Sequence, residues 1–216
     1  MSEAATNPSL QYYDTTAHNV TMGPTYTLDG GDSLFLKFNY LSADQSSSSG
    51  LTPPIKFTAQ SIQPEYVAKF VRGWTATISG GATIVEQGSS HTFASGSVSL
   101  MNELDRQTRV EIAVSRLVAP LYIGIGGAMI SNVAQLYVSH SFTRVVQLTV
   151  NGNYAHNESA PVKLFTFESI KGSAVLDYKL TRSTKLSLSQ DYGHFLWSGS
   201  PSFDRFVTML AVSTEW

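Results

Sequence analysis

The sequence has no cysteine. Disulfide frameworks, thiolate catalysis and cysteine-ligated zinc are therefore excluded. Charge is also sparse: 14% of the 216 residues are Asp, Glu, Lys or Arg, against about 25% in ordinary soluble domains. The formal net charge is −2, so the basic footprint of a nucleic-acid binder is missing and no nucleic-acid partner is expected. The first twenty residues hold no apolar core of the kind a secretory leader carries. The expectation is that a leader has been removed or that the chain is an N-terminally incomplete piece. Long apolar runs are missing too. The longest stretch without a charged residue, Leu117–Thr143, is broken by Pro120, Gly124, Gly126, Gly127, Asn132 and Gln135. Only Ala119–Ile130 comes close to continuous apolarity, well short of the ~20 residues a membrane helix needs.

What is present is alternation. Serine and threonine together supply 49 residues, while 42% of the chain is hydrophobic and 11% aromatic. That apolar content excludes a disordered chain. Segments such as Leu34–Tyr40, Val146–Tyr154 and Lys185–Tyr192 switch between apolar and polar at every step, the pattern of a strand whose side chains point to opposite faces of a sheet. Short turns recur as Asp29–Gly31, Val71–Gly73, Asp105–Gln107, Thr143–Val145 and Thr181–Ser183. The residues before them, Leu28, Phe70, Leu104, Phe142 and Leu180, are spaced by 42, 34, 38 and 38 positions. Four of the turns carry a central arginine: Arg72, Arg106, Arg144 and Arg182. The chain is a hairpin repeat of about 38 residues.

A three-residue turn leaves its flanking residues four apart, which keeps even-numbered positions on one face. The even face reads Leu34, Leu36, Phe38, Tyr40, then Trp74, Ala76, Ile78, then Val110, Ile112, Val114, and ends Phe206, Leu210, Val212, Trp216. Strand charges fall mostly on odd positions: Lys37, Glu65, Lys69, Glu103, Arg109, Glu111, Lys163, Lys171, Asp177, Lys179, Lys185, Asp191, Arg205 and Glu215. The exceptions are Asp32, Lys56, Glu86, Arg116, Glu168 and Asp204. All six lie near a rim of the repeat.

Two architectures produce such alternation: a soluble sandwich with an apolar inside, and a transmembrane barrel with an apolar outside and a polar lumen. Three features favour the barrel. The repeat leaves roughly fourteen residues per strand, where soluble strands average ~5–6 and a tilted membrane strand needs ~9–11. The links alternate between short turns and longer stretches around Ser42–Pro54, Gln87–His91, Val118–Met129, Ala155–Val162 and Trp197–Ser202. The final strand ends on an aromatic residue, Trp216, as bacterial barrels recognised by the barrel-assembly machinery do. The expected fold is all-β, an antiparallel up-and-down transmembrane β-barrel of about 12 strands. Eleven strands are countable, at about 17–28, 32–43, 56–70, 74–86, 92–104, 108–118, 130–142, 146–155, 163–180, 184–196 and 203–216. An even total requires a stunted first strand topped by Ser9–Tyr13, or makes the chain the C-terminal part of a larger barrel. Residues 1–14 are read as that N-terminal segment and residues 15–216 as the barrel.

The stretch Gly73–Gly88, the hairpin Tyr178–Ser189 and Phe203–Val207 leading to the last strand resemble the porin-like outer-membrane β-barrels associated with bacterial exopolysaccharide export and PEP-CTERM protein sorting. The likeness runs from about Thr15 to the end. It implies a bacterial outer-membrane location, outer-membrane lipid as surroundings, and a pore or export channel working with export-system components. It supplies no catalytic residues.

The odd-face charges Lys37, Lys69, Glu103, Arg109, Glu111, Asp177, Lys179, Asp191 and Arg205 are the lumen-lining candidates. Their signs are mixed, which points to a wet or plugged interior without strong ion selectivity. The alternatives are a non-conducting docking barrel and an outer-membrane hydrolase. For the hydrolase, His194 with Ser198 and Asp191 is the candidate triad. His140 is flanked by Ser139 and Ser141, but alternation turns both away from it, so a hydroxyl partner would have to come from a neighbouring strand. His91 and His156 are expected in the links. A polar rim role is favoured for these histidines, and no enzyme activity, cofactor or metal is expected. The pair Gly80–Gly81 inside a strand marks a bend or bulge.

Overall fold

The computed structural model describes residues 13–47, 55–70, 73–87, 89–120, 128–160, 163, 165–199 and 201–214. Arg72, Glu215, Trp216 and most of the Ser9–Tyr13 segment lie outside them. Twelve strands follow one another: β1 (Tyr13–Met22), β2 (Thr25–Thr27), β3 (Ser33–Ser47), β4 (Ile55–Lys69), β5 (Trp74–Gln87), β6 (Ser89–Glu103), β7 (Thr108–Pro120), β8 (Ala128–Ser141), β9 (Val146–Ala160), β10 (Thr166–Lys179), β11 (Thr184–Trp197) and β12 (Phe203–Thr214). They form one antiparallel up-and-down sheet in which each strand from β3 to β12 neighbours the next. Strands β1 and β2 both pair with β3 in a single register, Met22 opposite Phe38 and Thr25 opposite Phe35. They are one pass interrupted at Gly23–Pro24, where the Leu36 amide donates to the Pro24 carbonyl at 3.1 Å. The eleven passes coincide with the eleven expected from the repeat. The sheet is not closed: among the described residues, β1 and β12 are its two edges.

Register follows the turns. Leu28 N–H bonds Asp32 O at 2.8 Å, Phe70 N–H bonds Trp74 O at 2.8 Å and Leu180 N–H bonds Thr184 O at 2.9 Å, each pair four residues apart. Every ladder accordingly joins even to even and odd to odd, from Ala17 opposite Ala43 to Ser213 opposite Lys185. The even face carries the exposed apolar side chains, including Leu36, Ile78, Val98, Ile112, Leu136, Leu176 and Leu210. The odd face buries small polar ones: Ser61, Thr83, Ser95, Ser131, Asn157 and Ser169. Strands of 12–15 residues reach roughly 40–50 Å at ~3.3 Å per residue. At the ~35–45° tilt of membrane barrels they overreach the ~25 Å apolar band.

Two of the links expected to be long are short. Strand β6 starts at Ser89, with Ser89 opposite Gln87, and β9 runs to Ala160. Alternation continues through both regions, and inward side chains there find partners: Ser131 Oγ donates to Asn157 Oδ1 at 2.6 Å. His91 and His156 therefore sit within strands rather than links. A compact apolar cluster of Ala43, Phe57, Ala59, Val85, Ala128, Ile130 and Ala160 lies at the long-link end.

The even-face charges stand near rims and have neighbours of their own. Asp32 accepts from Tyr66 Oη at 2.5 Å and Lys69 N at 2.9 Å. Glu86 accepts from Thr58 at 3.3 Å, Arg116 donates to Asn132 at 2.9 Å, Glu168 meets His156 at 2.9 Å and Asp204 meets His194 at 2.8 Å. Lys56 lies opposite Asp44 in register. Cross-strand pairing of this kind lowers the cost of charge on an apolar face, already only ~0–1 kcal/mol near an interface.

Candidate functional site

The odd face is concave. Asn19 on β1 and Leu117 on β7 line one recess together with Asn39, Ser61 and Thr83, although four strands separate β1 from β7 along the sheet. Toward the other edge, three further recesses share residues and form one run. A recess of about 330 Å³ at the short-turn end is lined by Glu103, Asp105, Arg109, Tyr137, Ser139 and Gln147. Tyr137 also lines the next, of about 280 Å³, with Glu111, Ala113, Gln135, Asn151 and Asn153. Those two asparagines also line the third, of about 430 Å³, with Lys171, Ser173, Asp191, Phe195 and Arg205. Nearly all these strand side chains are odd-numbered, so the run is a direct product of the alternation.

The structure groups some of the lumen-lining candidates and separates others. Glu103 lies opposite Arg109 in register, and the Arg109 guanidinium bonds Glu111 at 3.2 Å while standing 6.0 Å from the centre of the Tyr137 ring. Asp191 and Arg205 share the third recess. Lys37 is tied to Glu65 at 2.6 Å on the same face, toward the β1 edge of the sheet. Asp177 accepts from Ser187 at 2.6 Å and from Lys185 at 3.4 Å. Lys69 and Lys179 end their strands at the short-turn rim. Lys171, one of the odd-position charges, also lines the third recess. Charge alone did not single out Tyr137, Asn151, Asn153 and Phe195 as lining residues. Odd parity alone would have found all four.

In the turns, the Gln107 backbone amide, donating at 2.6 Å with Thr108 N–H at 2.7 Å, holds the Asp105 carboxyl below the usual carboxylate range. The Lys69 backbone amide and then the Tyr66 hydroxyl do the same for Asp32.

The hydrolase triad is not assembled. His194 turns its Nδ1 to Asp204, which also accepts from Tyr192 Oη at 2.9 Å. Asp191, being odd, lies on the opposite face, and Ser198 Oγ accepts from Thr166 N–H at 3.0 Å. His140 does find a hydroxyl on the neighbouring strand: its Nδ1 is 2.9 Å from Thr108 Oγ1, which donates to Asp105 at 3.1 Å. The hydroxyl is thus shared between the imidazole and the turn carboxylate. Among the described residues no group of three or more His, Asp or Glu could hold a metal ion.

No protein-family model matches the sequence, and no curated protein does. Solved structures do share the fold. OmpT, an outer membrane protein of Vibrio cholerae, aligns with 94% of this chain and 81% of its own at a TM-score of 0.56 and 9% identity. The FpvAI–pyocin S2 complex aligns over 94% of this chain and 36% of that chain, with a TM-score of 0.57 and 8% identity. The NanC porin aligns over 95% and 98%, at 0.44 and 11%. The fold is the outer-membrane β-barrel fold.

Proposed function

We propose that the chain is a bacterial outer-membrane barrel whose odd face lines a pore for small polar solutes. One observation carries the reading: the recesses from Glu103 to Arg205 join into a continuous run along the concave face that carries charged and amide side chains along its length, with Phe195, Val207 and Met209 at one end, while the convex even face is apolar and exposed. A soluble protein would reverse these two faces. The lumen charges are of both signs, so the pore is weakly selective. Its surroundings are outer-membrane lipid, and its last strand is the signal read by the barrel-assembly machinery. A place in exopolysaccharide export or PEP-CTERM sorting is part of this proposal and rests on the resemblance of Gly73–Gly88, Tyr178–Ser189 and Phe203–Val207 alone. Catalysis has no part in this reading.

A second reading, a non-conducting docking barrel, draws on the recess that Asn19 and Leu117 share from distant strands, which narrows the interior. Planar-bilayer recording of refolded protein separates the two. Stable conductance steps support the pore. Silence from protein shown to be folded and inserted overturns it in favour of docking.

A further inference from the structure

The third recess is organised around a missing side chain. In register across four strands, Asn153 of β9 lies opposite Lys171 of β10, Lys171 opposite Gly193 of β11, and Gly193 opposite Arg205 of β12. The two cations are thus two strand spacings apart, roughly 9–10 Å between backbones. The position between them presents only backbone. Gly193 is buried, because the Phe195 ring leans over it: a Cβ placed there would come within 2.7 Å of Phe195 Cε2.

Phe195 is part of an aromatic shelf. Its ring stacks on Phe203 at 4.7 Å between centroids and 13° between planes, and on Phe167 at 6.0 Å and 11°. Lys171 Nζ is 5.5 Å from the centre of the Phe195 ring.

The charges in the recess are unbalanced. Lys37, Arg109 and Lys185 on the same face each meet a carboxylate within 3.4 Å. Lys171 and Arg205 have no carboxylate partner among the described residues. The one acid in the recess, Asp191, stands a register row away, beside Ser173 and Val207. Two cations and one carboxylate leave a net charge of +1, which a monoanion neutralises.

We propose that this recess is a binding site for a small organic monocarboxylate with a flat apolar face. The carboxylate sits in the recess between the Lys171 ammonium and the Arg205 guanidinium, beside the Phe195 ring that covers Gly193, where a guanidinium fork and an ammonium suit it. The flat face lies along Phe195. The volume, about 430 Å³, is that of a small-molecule site. The proposal rests on the pore reading to the extent that the odd face must be open to solute.

The test is titration calorimetry on the full chain refolded in detergent, with benzoate as the probe and acetate, benzyl alcohol and inorganic phosphate as comparators. Benzoate should bind, and acetate and benzyl alcohol should each bind about tenfold or more weakly. Lys171→Gln and Arg205→Gln should each weaken benzoate by about tenfold or more, as loss of a charge-assisted hydrogen bond does. Lys56→Gln, on the other face, should leave it unchanged. Gly193→Val should abolish binding by driving the Phe195 ring, 2.7 Å from the new Cβ, out into the recess. Should that variant not fold, judged by circular dichroism, Phe195→Leu serves instead and should bring benzoate down to the level of acetate. The proposal is overturned if folded protein does not bind benzoate, if the two cation variants bind it like the parent, or if phosphate or acetate binds as well as benzoate. Calorimetry requires no current, so a barrel that binds benzoate but conducts nothing would refute the pore and leave the site standing.

Discussion

Gln63 on β4 donates to Ser95 on β6 at 2.7 Å, across the whole width of β5. Two features make the bridge. Gly81, opposite Ser95 on the strand between, has no side chain to block it. The backbones also crowd there, since a Cβ on Gly81 would overlap the Ile62 carbonyl and come within 3.0 Å of Gln63 Cα. The β4–β5 ladder skips Gln63 and Pro64 at this level, as a proline without an N–H requires. Gly81 thus marks a tight approach rather than a bulge, while a side chain at Gly80 would meet open space. Ser95 also accepts from Thr83 at 2.9 Å and is buried. Ser95→Ala should cost about 1–2 kcal/mol, the range for stranding buried polar partners. Gly81→Val should cost more, because backbone has to move. Urea titration of refolded protein measures both. Equal stability of parent and Ser95→Ala would mean the bridge contributes nothing.

Asp105 gives the fold a dependence on acid. Its carboxylate accepts from Gln107 and Thr108 amides in the turn between β6 and β7, which lowers its pKa in the folded state. A depressed carboxyl contributes stability that is fully present above the unfolded pKa of ~3.9 and lost as pH falls through the lower folded value. Asp105→Asn keeps the acceptor oxygen that both amides use and removes the charge. Its stability should therefore vary less than the parent's below about pH 4, while Asp105→Ala should be weaker at neutral pH as well. Unfolding midpoints across an acid series check both.

The two faces should respond oppositely to the same substitution. Ile112 is on the apolar face, 53% exposed, and its neighbour Ala113 lines the second recess. Arginine at a mid-bilayer lipid-facing position costs ~2–4 kcal/mol. Ile112→Arg should lose that much in bilayer refolding titrations. Ala113→Arg should stay within roughly 0.5 kcal/mol, as for an open polar surface. Equal penalties would mean that the faces are misassigned.

Parity was the most legible property of the sequence. Five short turns, each holding its flanking residues four apart, were enough to place Leu34 and Leu210 on one face and Lys37 and Arg205 on the other. Strand number and the short-turn ends followed from the same rule. Positions of partners did not. Whether Arg109 turns to Glu103, opposite it in register, or to Glu111, two residues on along its own strand, depends on rotamers that no alternation pattern encodes. The third recess was missed for a related reason. It is made by a glycine between two cations on strands that are not adjacent, and only the register brings Lys171, Gly193 and Arg205 into one row. Link lengths were misjudged around Gln87 and Ala155 because serine, asparagine and histidine read as loop residues. On an inward polar face they are strand residues.

Charge reversal at Arg109 tests the lumen directly. Arg109 stands between Glu103, opposite it in register, and Glu111, whose carboxylate it bonds at 3.2 Å. Arg109→Glu replaces the one cation of this group and leaves three carboxylates together. If these side chains line the conducting path, the reversal potential in a potassium chloride gradient should move toward the potassium equilibrium value. The shift should be largest in dilute salt, where fields reach ~10 Å or more, and small at 1 M, where the screening length is ~3 Å. That salt dependence separates a field effect from a change of pore shape, which would alter conductance at every salt concentration. A reversal potential that does not move in dilute salt, in a variant that still conducts, would mean that ions pass elsewhere and that the Glu103–Glu111 group is not part of the lumen.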